Sequence, residues 1–163
     1  MRVIIINGPM GVGKTTVGKY IAANYSGTAF IDGDWCFDLH PFVGNHETKT
    51  MAIDNLLHMI DNYQKCSVCK MIVLVWLMDE QWVYQEIVDG ISDMELEAQS
   101  VVLTCDKNNL ISRWENDKTC EWRTQEWLEV SLQSLLFFSS LKNSIDTSGL
   151  TVDRTADLIM HLS

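Results

Sequence analysis

A glycine-rich segment near the N-terminus has the residue types needed to bind phosphate. Residues 8–16 read GPMGVGKTT and match the phosphate-binding loop pattern G-x-x-x-x-G-K-[ST]. Its three glycines let the backbone curl so that N–H groups converge on phosphate oxygens. Lys14 adds a positive charge for the β- and γ-phosphates, and Thr15 adds a hydroxyl for Mg²⁺. The segment predicts a site for ATP and Mg²⁺, with nucleotide contacts from Gly8, Met10, Gly11, Val12, Gly13, Lys14, Thr15 and Thr16.

Two acidic residues form a second group that could do chemistry. Asp32 and Asp34 flank Gly33 and directly follow the apolar residues 28–31. Phosphorylation of a hydroxyl needs an acceptor for its proton, and Mg²⁺ needs a carboxylate, directly or through water. Two acids one residue apart can share these tasks. A loop pair that only makes Asx turns is the alternative, and the position after a second strand favours the functional interpretation.

The hydrophobic pattern predicts the elements that position these groups. Apolar runs predict strands at 3–7, 28–31, 71–78, 100–105 and 144–147. Helical periodicity and capping residues predict helices at 14–24, 48–63, 79–91, 106–114, 123–141 and 151–162. Alternating strands and helices, with a phosphate-binding loop after the first strand, are typical of a doubly wound α/β fold with helices on both faces of a parallel sheet.

Polar residues follow the predicted strands, where a ligand site of such a fold lies. They are Asn7, Asp32, Asp34, Asp79, Cys105 and Asp146. Asp79 could serve as a Walker B acid for Mg²⁺ or as the N-cap of the helix that follows, and its place at the helix start favours the cap. Asp106 is predicted to cap the helix through Trp114.

The composition limits the classes of function. The 163-residue chain has a net charge of −10, and residues 1–31 carry +3, so the remainder carries −13. Positive charge therefore concentrates at the phosphate-binding segment, which argues against a nucleic-acid partner. No apolar run is long enough to cross a bilayer, the N-terminus lacks a signal-peptide pattern, and the five cysteines indicate reduced thiols. We expect a single cytoplasmic domain, monomeric or homodimeric, without a membrane partner.

Several segments together resemble a known family. They are the loop at 8–16, the sequence IDGD at 31–34, LISR at 110–113 and IDTS at 145–148. In type and order they are similar to the small P-loop kinases, which include shikimate, gluconate, adenylylsulfate and nucleoside monophosphate kinases. The residues LHP at 39–41 look most like the gluconate kinase pattern, although four residues intervene after the acid pair. The chain is also similar to bacterial proteins known only as ATP-binding kinases.

The resemblance implies a fold and a domain plan. The fold is a P-loop NTPase three-layer sandwich, whose five-stranded parallel sheet has the order 2-3-1-4-5. Residues 1–163 form one kinase domain, with a lid at about 113–123 and a substrate-side segment at about 35–64.

It also implies roles for individual residues. Asp32 holds Mg²⁺ through water and Asp34 contacts the acceptor as candidate base, although these two roles could be exchanged. Arg113 and Arg123 are lid arginines that close over the transferring phosphate, the alternative for Arg113 being an i,i+4 ion pair with Asp117. Asp146 lies near the nucleotide base.

These features predict an ATP-dependent phosphotransferase that acts on a hydroxyl or phosphate of a small molecule. The alternative is a nucleotide-binding regulatory protein with little or no kinase activity, which the sparse lid arginines support. The base-specifying motif N-K-x-D of GTPases does not occur in the sequence.

Overall fold

The computed structural model describes residues 1–117, 120 and 123–162. Its strands are β1 (Arg2–Asn7), β2 (Thr28–Asp32), β3 (Met71–Val75), β4 (Glu97–Thr104) and β5 (Ser144–Asp146). Its helices are α1 (Lys14–Asn24), α2 (His46–Gln64), α3 (Gln81–Asp93), α4 (Lys107–Asn116), α5 (Gln125–Ser140) and α6 (Val152–Met160), with a short 3₁₀ helix at Gly33–Phe37. In this described part of the chain, none of the helices has both the length and the apolar character to span a membrane.

The five strands form one parallel sheet in the order β2-β3-β1-β4-β5, which confirms the predicted topology. β1 is central, and its apolar residues are completely buried. Their side chains alternate between two cores: Val3 and Ile5 face the core shared with α2 and α3, whereas Ile4 and Ile6 face the core shared with α1 and α6. Continuous apolar character is what a parallel strand covered on both faces requires.

Gly18 brings α1 close to the sheet. A Cβ atom at this position would lie 2.7 Å from Val75 Cγ1 and 2.8 Å from Phe30 Cε2. Because such a contact is too short for a real Cβ, the absence of a side chain allows the helix to lie directly on β2 and β3. The start of α1, which directly follows the phosphate-binding loop, is thereby fixed relative to both strands.

The third strand is shorter than predicted. β3 ends at Val75, three residues before the predicted end at residue 78. The Asn7 side chain explains the difference, since its Nδ2 donates to the Met78 carbonyl at 2.8 Å and its Oδ1 accepts from the Met78 N–H at 2.9 Å. The side-chain amide thus satisfies backbone groups that a longer strand would have paired with its neighbour.

Two predictions about the following helix are wrong. α3 begins at Gln81 with Glu80 in the N-cap position, so Asp79 is not the cap. The helix also ends at Asp93, two residues beyond the predicted end at residue 91. A Cβ at Gly90 would lie 2.5 Å from Leu57 Cδ1, so this glycine permits close packing of α3 on α2 and does not end the helix. The predicted cap at Asp106 is confirmed, because its carboxylate accepts from the Asn109 N–H at 2.8 Å.

Candidate active site

The phosphate-binding loop connects β1 to α1 at the carboxyl end of the sheet. Gly8, Gly11 and Gly13 have φ angles of 141°, 77° and 108°, in the region that favours glycine. Space is also restricted at the first of these, because a Cβ on Gly8 would lie 2.3 Å from the Leu103 carbonyl oxygen. The glycine spacing found in the sequence therefore matches real conformational requirements, and the loop leads directly into the positive N-terminal end of α1.

The Lys14 ammonium lies inside this loop. It donates to the carbonyls of Gly8 at 2.8 Å and of Pro9 at 3.0 Å. Burial of the ammonium lowers the pKa of Lys14 to about 8, an effect that the negative charges of Asp34 and Asp32 partly offset. The lysine that the sequence predicts to bind the β- and γ-phosphates is thus held where the loop converges, with both predicted acids nearby.

Thr15 and Asp32 present two oxygen ligands side by side. The Thr15 hydroxyl donates to Asp32 Oδ2 at 3.2 Å, and Asp32 Oδ1 accepts from the Asp34 N–H at 3.3 Å. Hydroxyl and carboxylate oxygens suit Mg²⁺, which usually retains several waters and takes only one or two protein ligands. The residues predicted to hold the metal are therefore adjacent and chemically suitable. Across the described residues, no three His, Cys, Asp or Glu side chains are grouped to hold a metal ion.

Asp34 lies beside Asp32, at the start of the 3₁₀ helix. Its Oδ1 accepts a hydrogen bond from the Trp76 indole N–H at 3.1 Å. Although the residue as a whole is exposed, desolvation of its carboxyl group raises the pKa of Asp34, and the neighbouring Asp32 charge raises it further. Lys14 and the indole N–H oppose this increase. A carboxylate with a raised pKa takes up a proton more readily, as a general base must.

Gly33 makes the position of Asp34 possible. A Cβ on Gly33 would lie 2.2 Å from Trp76 Cγ, so any larger residue would displace either the indole or the 3₁₀ helix. In the sequence, Gly33 is recognisable only as the residue between the two acids. Its contact with Trp76 was missed, because that tryptophan directly follows β3 and lies 43 positions later in the chain.

Arg113 supports the loop from α4. Its guanidinium donates to the Val12 carbonyl at 2.8 Å, to Thr147 Oγ1 at 2.9 Å and to the Thr147 carbonyl at 2.7 Å. These bonds join the phosphate-binding loop to the segment after β5. Asp117 instead pairs with Arg123, so the i,i+4 ion pair considered for Arg113 is not the one formed. The structure gives Arg113 a positioning role, and its role over the transferring phosphate stays a prediction.

Arg123 lies at the other end of the predicted lid. Its Nη1 is 2.7 Å from Asp117 Oδ2, and its guanidinium lies over the Trp114 ring, 5.1 Å from the centroid. Its Nε is buried and has no hydrogen-bond partner among the described residues. Of the lid predicted at 113–123, residues 118, 119, 121 and 122 lie outside the described residues. The catalytic role of Arg123 therefore stays a prediction.

Two further side chains stabilise the loop. Asn7 Oδ1 accepts from the Gly8 N–H at 2.7 Å, and the buried Ser131 hydroxyl on α5 donates to the Met10 carbonyl at 2.7 Å. Asn7 is one of the polar residues predicted at the site, but this role for it was not predicted, and Ser131 was missed. A hydroxyl on the buried face of a helix, next to Leu128, was the signal that could have indicated it.

Asp146 lies after β5 and holds its own turn. Its Oδ1 accepts from the Ser148 N–H at 2.9 Å and from the Ser148 hydroxyl at 2.6 Å. The same hydroxyl accepts from the Asp106 N–H at 2.7 Å, which connects the turn to the start of α4. Asp146 thus shapes the edge of the site next to Thr147, and its contact with a nucleotide base stays a prediction.

The sheet order, the glycine loop and the adjacent acids define a P-loop nucleotide-binding protein with a kinase-like fold. The chain belongs to the AAA domain family, whose model matches residues 4–131. It is 37% identical over 65 residues to a shikimate kinase of Psychrobacter arcticus, a match that spans 32% of this chain and 34% of that relative.

Solved structures show the same fold. The tunicamycin resistance protein of Deinococcus radiodurans has a TM-score of 0.70 at 19% identity, covering 99% of this chain and 96% of that one. The Mycobacterium tuberculosis APS kinase in complex with AMPPNP and APS also has a TM-score of 0.70, at 15% identity, covering 98% and 95%. The resemblance to small P-loop kinases is confirmed.

Proposed function

We propose that the protein is an ATP-dependent phosphotransferase that moves the γ-phosphoryl group of ATP to a small-molecule acceptor, with residues 1–163 as one kinase domain. The observation that carries the proposal is the position of Asp34. Its carboxyl group lies among Lys14, Asp32 and Trp76 at the mouth of the phosphate-binding loop, and its pKa is raised. A protein that only binds nucleotide has no need for a base beside the phosphates.

The loop would bind the phosphates of ATP through its backbone N–H groups and the Lys14 ammonium. To reach the phosphates, the ammonium exchanges the Gly8 and Pro9 carbonyls for phosphate oxygens, which are stronger, charged acceptors. Thr15 and, through water, Asp32 would hold Mg²⁺, which supplies charge neutralisation for the phosphate oxygens. Binding of the triphosphate therefore uses groups that already converge on one point.

Asp34 would receive the acceptor hydroxyl. The Trp76 indole donates to Oδ1, so that Oδ2 can accept the hydroxyl proton as the acceptor oxygen bonds to the γ-phosphorus. The bond from the γ-phosphorus to the β–γ bridging oxygen breaks, and ADP leaves with that oxygen. Arg123 would then neutralise charge on the transferring group, after its guanidinium leaves Asp117. The aromatic segment that starts at residue 35 would cover the acceptor and exclude water.

The test is direct detection of transfer. The protein is incubated with ATP labelled at the γ-phosphate and with nucleosides, nucleotides, sugar acids and aminoglycosides, and labelled products are separated. We expect a labelled acceptor with the wild type and none with Asp34→Asn, whose ATP affinity by calorimetry stays within about twofold, since its removed charge lies on the acceptor side. Asp89→Asn, the same change on an exposed face of α3, is the matched control and retains transfer. Equal loss of ATP binding in the Asp34 variant would assign that residue to the nucleotide.

A regulatory protein with little or no kinase activity is the second candidate. It is supported by the contacts of the two predicted lid arginines, because Arg113 is bound to the loop and Arg123 to Asp117. Binding of ATP without a labelled product from any acceptor class would favour this candidate. The cytoplasmic location, the absence of nucleic-acid and membrane partners, and a monomeric or homodimeric state stay expectations from composition.

A further inference from the structure

The structure joins two segments next to Asp34 into one surface, here called the acceptor-side surface, which consists of residues 34–49 and 76–82. The segments follow the neighbouring strands β2 and β3. The Phe37 ring lies edge-on to Trp76, with centroids 5.6 Å apart, and the His46 ring stacks on Trp82 at 4.6 Å. If the proposed function is correct, on which this inference rests, the acceptor binds on this surface.

The charge of this surface is strongly negative. Both segments are fully described, and they contain five acids, one lysine and no arginine; the acids are Asp34, Asp38, Glu47, Asp79 and Glu80. The lysine, Lys49, forms an ion pair with Glu80. The Trp82 indole donates to the same carboxylate at 2.6 Å, and these two hydrogen bonds lower the pKa of Glu80. Besides the buried thiol of Cys36, the remaining ionisable groups are His40 and His46, both exposed.

An anionic acceptor would lack a partner here. Carboxylate and phosphate groups are recognised by guanidinium or ammonium groups, and like charges brought together repel each other. Among the described residues, the cations of the site belong to its nucleotide side: Lys14 sits in the loop, Arg113 donates to Val12, and Arg123 pairs with Asp117. The acceptor-side surface therefore disfavours a carboxylate or a second phosphate.

Exposed aromatic rings provide an independent indication. Trp35 is 58% exposed and Phe42 is 65% exposed, although each is supported by another ring. Trp35 lies edge-on to Phe30 with centroids 5.5 Å apart, and Phe42 lies edge-on to Phe37 at 5.2 Å. Fixed rings with free surface stack on flat or apolar ring faces and attract cations. They offer binding surface without requiring charge on the ligand.

We propose that the acceptor is an uncharged or positively charged hydroxyl compound with a ring face, of the nucleoside or amino-sugar type, and not a sugar acid or a nucleotide. Asp34 takes the proton of its hydroxyl, the acids around it favour an amine over an anion, and Phe42, which packs on the same side as Trp76 through Phe37, contacts the ring. Selection of the acceptor thus depends on charge as well as on shape.

The first test compares related acceptors that carry different charges. Wild-type protein and γ-labelled ATP are incubated with uridine or uridine monophosphate, and with glucosamine or glucuronate. We expect at least tenfold more labelled product from the uncharged or cationic member of a pair. Transfer mainly to the anionic members would overturn this inference and leave the proposed kinase function intact. If ATP still binds but no label is transferred to these compounds or to any other acceptor class, the kinase function itself is overturned.

The second test changes the surface. Asp38→Lys replaces an exposed acid and should reduce the preference for cationic over anionic acceptors by about tenfold at low salt, with less effect at high salt. Asp93→Lys makes the same charge change at the opposite end of α3 and should leave the preference unchanged. An equal effect of both variants, or none for Asp38→Lys, would refute the assignment of this surface.

Phe42→Ala should raise the acceptor KM with little change in the KM for ATP, whereas Leu136→Ala, on an exposed face of α5, should change neither.

Discussion

Raising the pH from 7 to 9 should weaken ATP binding through Lys14. The pKa of this lysine is about 8 in the protein because its ammonium is desolvated within the loop. With that value, about nine-tenths of the molecules carry the charge at pH 7 and about one-tenth at pH 9. Bound phosphates restore the charged form, so protonation becomes part of the binding reaction. The dissociation constant should therefore rise about tenfold over this range, which corresponds to about 1.4 kcal/mol.

The measurement is calorimetric titration with a non-hydrolysable ATP analogue at several pH values. Lys14→Arg is the control, because a guanidinium stays charged over the whole range and the ionisation of the nucleotide affects both proteins equally. Unfolding does not account for the expected loss of affinity. The folded-state pKa of Lys14 is lowered, so the unfolded chain binds more protons between about pH 8 and 10.5, and this group's contribution to stability rises with pH there. Identical pH slopes for the two proteins would refute the reasoning.

Three substitutions test other parts of the site. Lys14→Ala should abolish phosphoryl transfer, and undiminished transfer in the labelled-ATP assay would contradict the mechanism. Gly33→Ala should lower stability by about 1–3 kcal/mol and reduce kcat at least tenfold, because the new methyl group displaces the Trp76 indole. Ser131→Ala should lower the free energy of unfolding by about 1–3 kcal/mol, because it leaves the Met10 carbonyl without its hydroxyl donor. Denaturant titration measures both stability changes, and steady-state assays measure kcat.

Matched controls separate these effects from general ones. A Cβ on Gly149 meets no atom within 4 Å, so Gly149→Ala should leave stability within about 0.5 kcal/mol of the wild type. Ser140 donates to the Phe137 carbonyl on an exposed turn of α5, and Ser140→Ala should have a similarly small effect. If these controls lose as much stability as their counterparts, contacts with Trp76 and Met10 do not explain the changes.

The sequence predicts those features whose cause is local. The loop depends on three glycines and a lysine within nine residues, and the cap at Asp106 needs only the helix that follows it. The proximity of Thr15 and Asp32 follows once β2 is placed in a parallel sheet, since both then lie at the same edge. The strand order itself came from the resemblance, because hydrophobic patterns do not specify which strands are neighbours.

The failures have distant causes. The end of β3 is set by Asn7, which is 71 positions away from Met78, and no pattern within the strand reveals that amide. Arg113 donates to Val12, 101 positions away, whereas sequence spacing suggested only Asp117 as a side-chain partner. Side-chain hydrogen bonds of this kind depend on the complete fold, and a prediction based on neighbouring residues does not include them.

The Trp114 ring has a consequence for how nucleotide binding is transmitted. A Cβ on Gly11 would lie 2.9 Å from Trp114 Cε3, and the guanidinium of Arg123 rests over the same indole. One buried ring is thus a shared contact of the phosphate-binding loop and the residue at the end of the lid. Any movement of the loop when phosphates bind alters the support beneath Arg123, and the reverse holds equally. Because both contacts fall on one ring, we expect nucleotide binding and repositioning of Arg123 to be coupled. Linkage then requires that a ligand that repositions Arg123 changes the affinity for nucleotide by the same factor by which nucleotide changes the affinity for that ligand.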